Sequence, residues 1–146
     1  MRDSDFFESL SRISFCVSLT TYCEKIILMK FALQINASPY HSSTSFTAYR
    51  FACEVIEQEH ELFRIFFYHD GIYHAIKSAT PPDDEFSIFI AWQTLAQQNG
   101  IDLVVCISAA QRRGLVEENV AQGFRLGGLG QLLEASLLAD RFIVFG

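Results

Sequence analysis

The stretch Leu103-Val104-Val105-Cys106-Ile107-Ser108-Ala109-Ala110-Gln111-Arg112-Arg113-Gly114 constrains this chain more than any other. The apolar, β-branched run Leu103-Val104-Val105 makes Ile101 to Val105 read as a buried strand of a parallel sheet. It ends in a cysteine and gives way at once to small residues, two arginines and a glycine. In open α/β sheets, reactive groups and ligands gather just beyond the carboxyl ends of the strands, which is where Cys106 falls. The residues behind it can open a helical turn, whose free N–H groups favour a negative group in front of them. Arg112 and Arg113 add positive charge, and the thiolate is the reactive form of cysteine. Spacing alone leaves two readings open: a reactive thiol, or a small apolar residue closing a core strand.

The rest of the chain supports the strand assignment. Phe31 to Ile35 is a short apolar run, read as the first and central strand. Asn36 to Thr44 is a polar turn with Pro39, and its serines are read as supplying the N-cap of the next helix. Phe46, Tyr49, Ala52, Cys53 and Ile56 recur at helical spacing, which places Cys53 on or near the buried stripe. Leu62 to Tyr68 is a second strand, broken by His69-Asp70-Gly71. Asp83 or Asp84 is expected to cap a helix through Phe86, Phe89, Ile90, Trp92 and Leu95, stopped by Asn99-Gly100. The strand holding Cys106 follows. Gln131 to Ala139 reads as a helix with Leu132, Leu133, Ser136 and Leu137 inward, and Phe142 to Phe145 as the last strand. Alternating strands and helices imply parallel pairing through right-handed crossovers.

Several classes are disfavoured. The chain has 146 residues, which suits one domain with a real core, and a net charge of −6, which does not attract nucleic acid. No apolar run spans a bilayer. Cys16, Cys23, Cys53 and Cys106 show no zinc spacing and no Cys-x-x-Cys pair, so no metal site and reduced, cytoplasmic thiols are expected. Asn36 to Thr44 lacks the glycines of a phosphate loop. Gly127-Gly128-Leu129-Gly130 lacks the Gly-x-Gly-x-x-Gly spacing, and no strand is read just before it, so no nucleotide cofactor is expected. Residues 1–28 mix both charge signs without clear periodicity and do not read as an export signal. They are read as a disordered leader or an over-extended start before a domain at 29–146.

The segment Val-Val-Cys-Ile-Ser-Ala-Ala-Gln-Arg-Arg-Gly resembles the cysteine segment of the DsrE/TusD family, the cysteine-bearing subunits of sulfur-relay complexes. Three more stretches agree in order: Met29 to Asn36, Phe66-Phe67-Tyr68-His69-Asp70-Gly71, and Gly128-Leu129-Gly130-Gln131-Leu132. The resemblance implies an α/β/α domain of flavodoxin-like appearance with a mainly parallel five-stranded sheet. It implies a sulfurtransferase that carries sulfur as a persulfide on Cys106, with no metal and no organic cofactor. It also implies two related small subunits (DsrF/TusC-like and DsrH/TusB-like), a TusA-like donor and a TusE/DsrC-like acceptor. The sulfur's destination is read as 2-thiouridine in tRNA, with dissimilatory sulfur oxidation as the alternative. Arg112, Arg113, His69 and Ser108 are the supporting candidates. His69 stands at a strand end and can donate a proton or orient a sulfur anion, or simply serve the turn. Ser108 stands where many relatives have alanine and is read as a cap. After Gly114 the chain is shorter than its relatives, which bears on partner choice.

Two rival classes stay open: a structural subunit whose cysteine is inert, and a small-ligand-binding module.

Overall fold

The computed structural model describes residues 28–146. The readings made for the leader, including Cys16 and Cys23, lie outside the described residues. Five strands and four α-helices follow in the order β1 (Lys30–Ile35), α1 (Thr44–Glu57), β2 (Glu61–Phe67), α2 (Ile88–Asn99), β3 (Asp102–Cys106), α3 (Ile107–Arg112), β4 (Phe124–Gly127), α4 (Leu129–Leu138) and β5 (Arg141–Phe145). A 3-10 turn, His69–Ala75, follows β2, and a shorter one, Glu117–Asn119, precedes β4.

Every strand pair is parallel, in the order β4-β3-β2-β1-β5. The sheet is therefore all-parallel, and β2 rather than β1 is central. Right-handed crossovers place α1 and α2 on one face, where the chain steps from β1 to β3. The return from β4 to β5 crosses the sheet in the other direction and puts α4 on the opposite face. Alternation along β3 divides its side chains accordingly. Leu103 and Val105 face α1 and α2, while Asp102, Val104 and Cys106 face α4.

The core on the α1–α2 side is aromatic. Phe67 and Trp92 meet edge-to-face, with ring centroids 5.9 Å apart and both side chains fully buried. The stripe of α1 that faces the sheet is Ser45, Ala48, Ala52 and Val55. Ala52 is buried as the sequence implies and Tyr49 and Ile56 pack against the core, but Ser45, Ala48 and Val55 complete the stripe in place of Phe46 and Cys53. Small residues let the helix approach closely, while Phe46 is left exposed and Cys53 half-buried. No serine side chain caps α1. Ser45 instead meets the buried His74, its Oγ 3.0 Å from Nε2.

His74 ties the loop after β1 to the 3-10 turn, since Nε2 also lies 3.3 Å from the Ala37 carbonyl. Burial lowers its pKa to about 4, against which the Ala37 contact acts only weakly. The ring is therefore neutral when folded and takes up a proton more readily when unfolded. This contribution to stability is complete above about pH 6.5 and is lost as pH falls toward 4. Urea unfolding between pH 7 and pH 4.5 is expected to show the protein losing on the order of 2 kcal/mol from this group. A His74→Asn variant is expected to be weaker at neutral pH and to show a flatter pH dependence. An equal slope in both proteins would remove His74 as the cause.

Other local readings shift as well. Asp83 and Asp84 do not cap α2, which starts at Ile88 with Ser87 accepting from the Ile90 N–H at 3.4 Å. Phe124–Gly127 is a strand, so one does end directly before Gly128. In α4, Ala135 is buried and Leu132 packs against the core. Leu133 and Leu137 point outward, at 61% and 75% exposure.

Candidate functional site

Cys106 is the last residue of β3 and the N-cap of α3, and it is 1% exposed. Its backbone remains extended (φ −62°, ψ 115°), so the chain passes from strand to helix at the sulfur-bearing residue. Two neighbouring strand ends frame it. On one side β2 runs in register through Phe67 opposite Val105, then enters the 3-10 turn that begins at His69. On the other side, Gly127 of β4 stands directly opposite Cys106.

The turn after β2 is held close to the sheet by Gly71. A Cβ on Gly71 would fall 2.0 Å from the Ile35 carbonyl oxygen at the end of β1. That oxygen accepts a hydrogen bond from the Tyr68 N–H at 2.9 Å. Only a residue without a side chain lets the turn lie so near. His69 sits in left-handed backbone (φ 47°), exposed, with its ring stacked at a tilt 4.1 Å from that of Tyr68.

Both arginines lie at the end of the short helix that follows Cys106, Arg112 in its last turn and Arg113 at its C-cap. Arg113 is engaged by Asp70, with Nε 2.9 Å and Nη2 2.8 Å from Oδ1. This ion pair clasps the turn after β2 to the end of α3, so the Arg113 charge is shared with Asp70 rather than facing the thiol alone. Arg112 is exposed in the last turn of α3, where a cation suits the helix dipole. Ser108 is the second residue of α3 and exposed, and the cap position belongs to Cys106 itself.

A second polar cluster lies beneath the α4 face. Asp102, four residues before Cys106 on the same face, receives Arg64 Nε at 2.7 Å and Arg125 Nη2 at 2.6 Å on Oδ2. Burial pushes the Asp102 carboxyl up, but hydrogen bonds from Arg125 and Arg64 outweigh it and hold the group below its usual range. Arg64 Nη1 continues to Glu134 at 2.6 Å and to the Gln131 carbonyl at 3.0 Å. The network therefore pins the first turns of α4 across β2, β3 and β4. Arg64, Asp102 and Arg125 escaped the sequence reading because they are far apart in the chain and no local pattern joins them.

Among the described residues no group of three or more His, Cys, Asp or Glu side chains could hold a metal ion. No described helix is long and apolar enough to cross a membrane. A depression of about 580 Å³ lies beside Gln93, Ala96 and Ile101, at the opposite end of β3. Concavity alone therefore does not mark the cysteine end. A smaller one of about 230 Å³ adjoins Arg113, Gly114 and Tyr73 on the cysteine side.

The family model described as DsrE/DsrF-like matches residues 29–145. The chain belongs to the DsrE/DsrF-like family. A protein of Allochromatium vinosum named as sulfurtransferase DsrE is 49% identical over 81% of this chain and 99% of its own length. The sulfurtransferase TusD homolog of Vibrio vulnificus is 40% identical over 80% of this chain and 98% of its own. The crystal structure of the ychN protein from E. coli superposes with a TM-score of 0.73 at 23% identity, covering 81% of this chain and all of that one. This DsrE-family fold is thus the all-parallel α/β arrangement described above.

Proposed function

We propose that this protein is a sulfur-relay sulfurtransferase in which Cys106 accepts sulfur as a persulfide and passes it to an acceptor cysteine. The observation that carries the reading is the position of Cys106, at a strand end and helix start in a DsrE-family domain. The names of the two relatives support the activity. In the first step the Cys106 thiolate attacks the outer sulfur of a donor persulfide. A new S–S bond forms on Cys106, and the donor leaves as its thiolate. In the second, an acceptor thiolate attacks the outer sulfur on Cys106, which departs as thiolate and is ready again. Each step exchanges one S–S bond for another, so neither needs a net oxidant or reductant. Arg112, His69 and Ser108, all exposed, and the half-buried Arg113 are the polar groups offered to an incoming donor or acceptor.

The partners follow the family pattern: two related small subunits, a TusA-like donor and a TusE/DsrC-like acceptor. Support comes from the outward leucines of α4, Leu129, Leu133 and Leu137, at 51%, 61% and 75% exposure. They repeat every fourth residue and form an apolar stripe on the helix that covers the Cys106 face. The sulfur's destination is 2-thiouridine in tRNA, by likeness to the TusD homolog. The higher identity to the DsrE relative favours a second reading, dissimilatory sulfur oxidation.

The test supplies labelled sulfur as a donor-protein persulfide and then adds an acceptor thiol protein. Label is expected on this chain first and on the acceptor afterwards. Direct donor-to-acceptor transfer at the same rate without this chain would refute the relay. In cells, loss of the gene is expected to deplete 2-thiouridine; loss of growth on reduced sulfur compounds with intact tRNA would establish the second reading instead.

The domain at 29–146 is proposed to carry the activity by itself. A chain beginning at Met29 is expected to melt and to load sulfur like the full chain. A Tm lowered by several degrees, or weaker loading, would assign the leader a role.

A further inference from the structure

Gly127 stands opposite Cys106 in the β3–β4 register, so a side chain there would be the lateral neighbour of the thiol. It has none. A Cβ on Gly127 would lie 1.8 Å from Gln131 Oε1 and 2.5 Å from Val104 Cγ1. The Gln131 carboxamide thus fills the place the missing side chain leaves, on the face shared by Val104 and Cys106. Adjacent parallel strands lie about 4.8 Å apart, so this is the polar group set beside the sulfur-bearing position. Gln131 Oε1 is buried and has no hydrogen-bond partner. A buried amide oxygen without a partner has lost its water without replacement and is destabilising. The backbone that carries it is fixed, because the Gln131 carbonyl accepts from Arg64 Nη1 within the Asp102 and Glu134 network.

We propose that Gln131 is a binding residue for the relayed sulfur, its carboxamide hydrogen-bonding the sulfur that Cys106 receives and the anions formed as it is passed on. This rests on the relay reading above. A carboxamide presents one acceptor and two donors at the end of one rotatable bond. With the resting thiol Oε1 stays unpartnered, and it accepts from the S–H of a neutral persulfide, whose outer sulfur extends beyond Sγ. Rotation of the amide brings Nε2–H to the thiolate or to the persulfide anion and donates to it. A fixed cation would favour only the anionic forms, whereas the amide serves the charged and uncharged states that alternate during transfer. The Gly128-Leu129-Gly130-Gln131 turn then has a definite task. It starts α4 directly after β4, so that the side chain one turn in folds back over Gly127.

Two variants of similar size test this in the full chain. Gln131→Met keeps the volume and removes both donor and acceptor, and because the buried oxygen lacks a partner its Tm is expected to match or exceed the wild type. Gln131→Glu puts a negative charge where the anion needs a donor. Alkylation of Cys106, followed by peptide mass across pH, is expected to move to higher pH in Gln131→Met and further in Gln131→Glu. The persulfide formed from a donor is expected to decay about tenfold faster in Gln131→Met. Wild-type alkylation profiles and persulfide lifetimes in both folded variants would overturn the assignment. If the wild type takes up no sulfur, the relay reading fails, while a shifted alkylation profile would still place the amide on the Cys106 sulfur.

Discussion

Cys106→Ser is expected to lose sulfur loading by on the order of a thousandfold or more, the usual scale when a covalent nucleophile is removed. A serine hydroxyl ionises far less readily than a thiol and does not form the S–S bond that holds the cargo. The variant also tests fold integrity, because Cys106 is 1% exposed and the hydroxyl enters a nearly closed site. An unpartnered hydroxyl there would cost roughly 1–3 kcal/mol. Cys106→Ala, which brings no polar atom, separates that cost from the chemistry. Both variants are expected to be inert toward the donor, with only the serine form losing noticeable stability. Cys53→Ser is the internal control. Cys53 is half-buried on α1, on the other face of the sheet, and its replacement is expected to leave loading unchanged. Loading of Cys106→Ala at the wild-type rate would move the chemistry to another residue.

Gly71→Ala is expected to destabilise the protein by about 3 kcal/mol, the upper end for an overpacked site. For a domain of this size the corresponding fall in Tm is roughly 10 °C. The added methyl would meet the Ile35 carbonyl oxygen at 2.0 Å and its carbon at 2.9 Å, and both are backbone atoms of the β1 end. The turn must move away, and the Tyr68 N–H bond to the same oxygen stretches with it. The displacement carries Asp70 from Arg113, so loading is expected to weaken along with stability. Gly130→Ala is the matched control: it lies within α4 with nothing within 4 Å of its added Cβ. That change is expected to be neutral or stabilising by up to about 1 kcal/mol. Equal melting of Gly71→Ala and the wild type would show that the turn is free to shift.

The parts of the fold that were legible have strong local signals. Leu103 to Val105 is a continuous apolar run, and Phe31 to Ile35 and Leu62 to Phe67 are each interrupted by one polar residue, Gln34 and Arg64, as largely buried strands should be. Phe124–Gly127 was not legible because four residues containing Arg125 and a terminal glycine present no strand pattern. In α1 the size of Phe46 argued for burial, but close packing on a sheet selects the small neighbours Ser45 and Ala48. In α4 the leucines surround the helix, so periodicity could not tell the sheet-facing side from the exposed side. The cysteine could be found from its strand and the small residues after it. Its surroundings could not, because Gly127, Gln131 and the Asp70–Arg113 clasp reach the site through strand order and register.

The central claim concerns one sulfur atom on one residue. Intact-mass measurement after exposure of the reduced full chain to a donor persulfide tests it, with peptide mapping of the product. A gain of one sulfur atom is expected, located on the peptide containing Cys106 and removed again by an acceptor thiol. No mass gain, or a gain located on Cys53 with Cys106 unmodified, would contradict it.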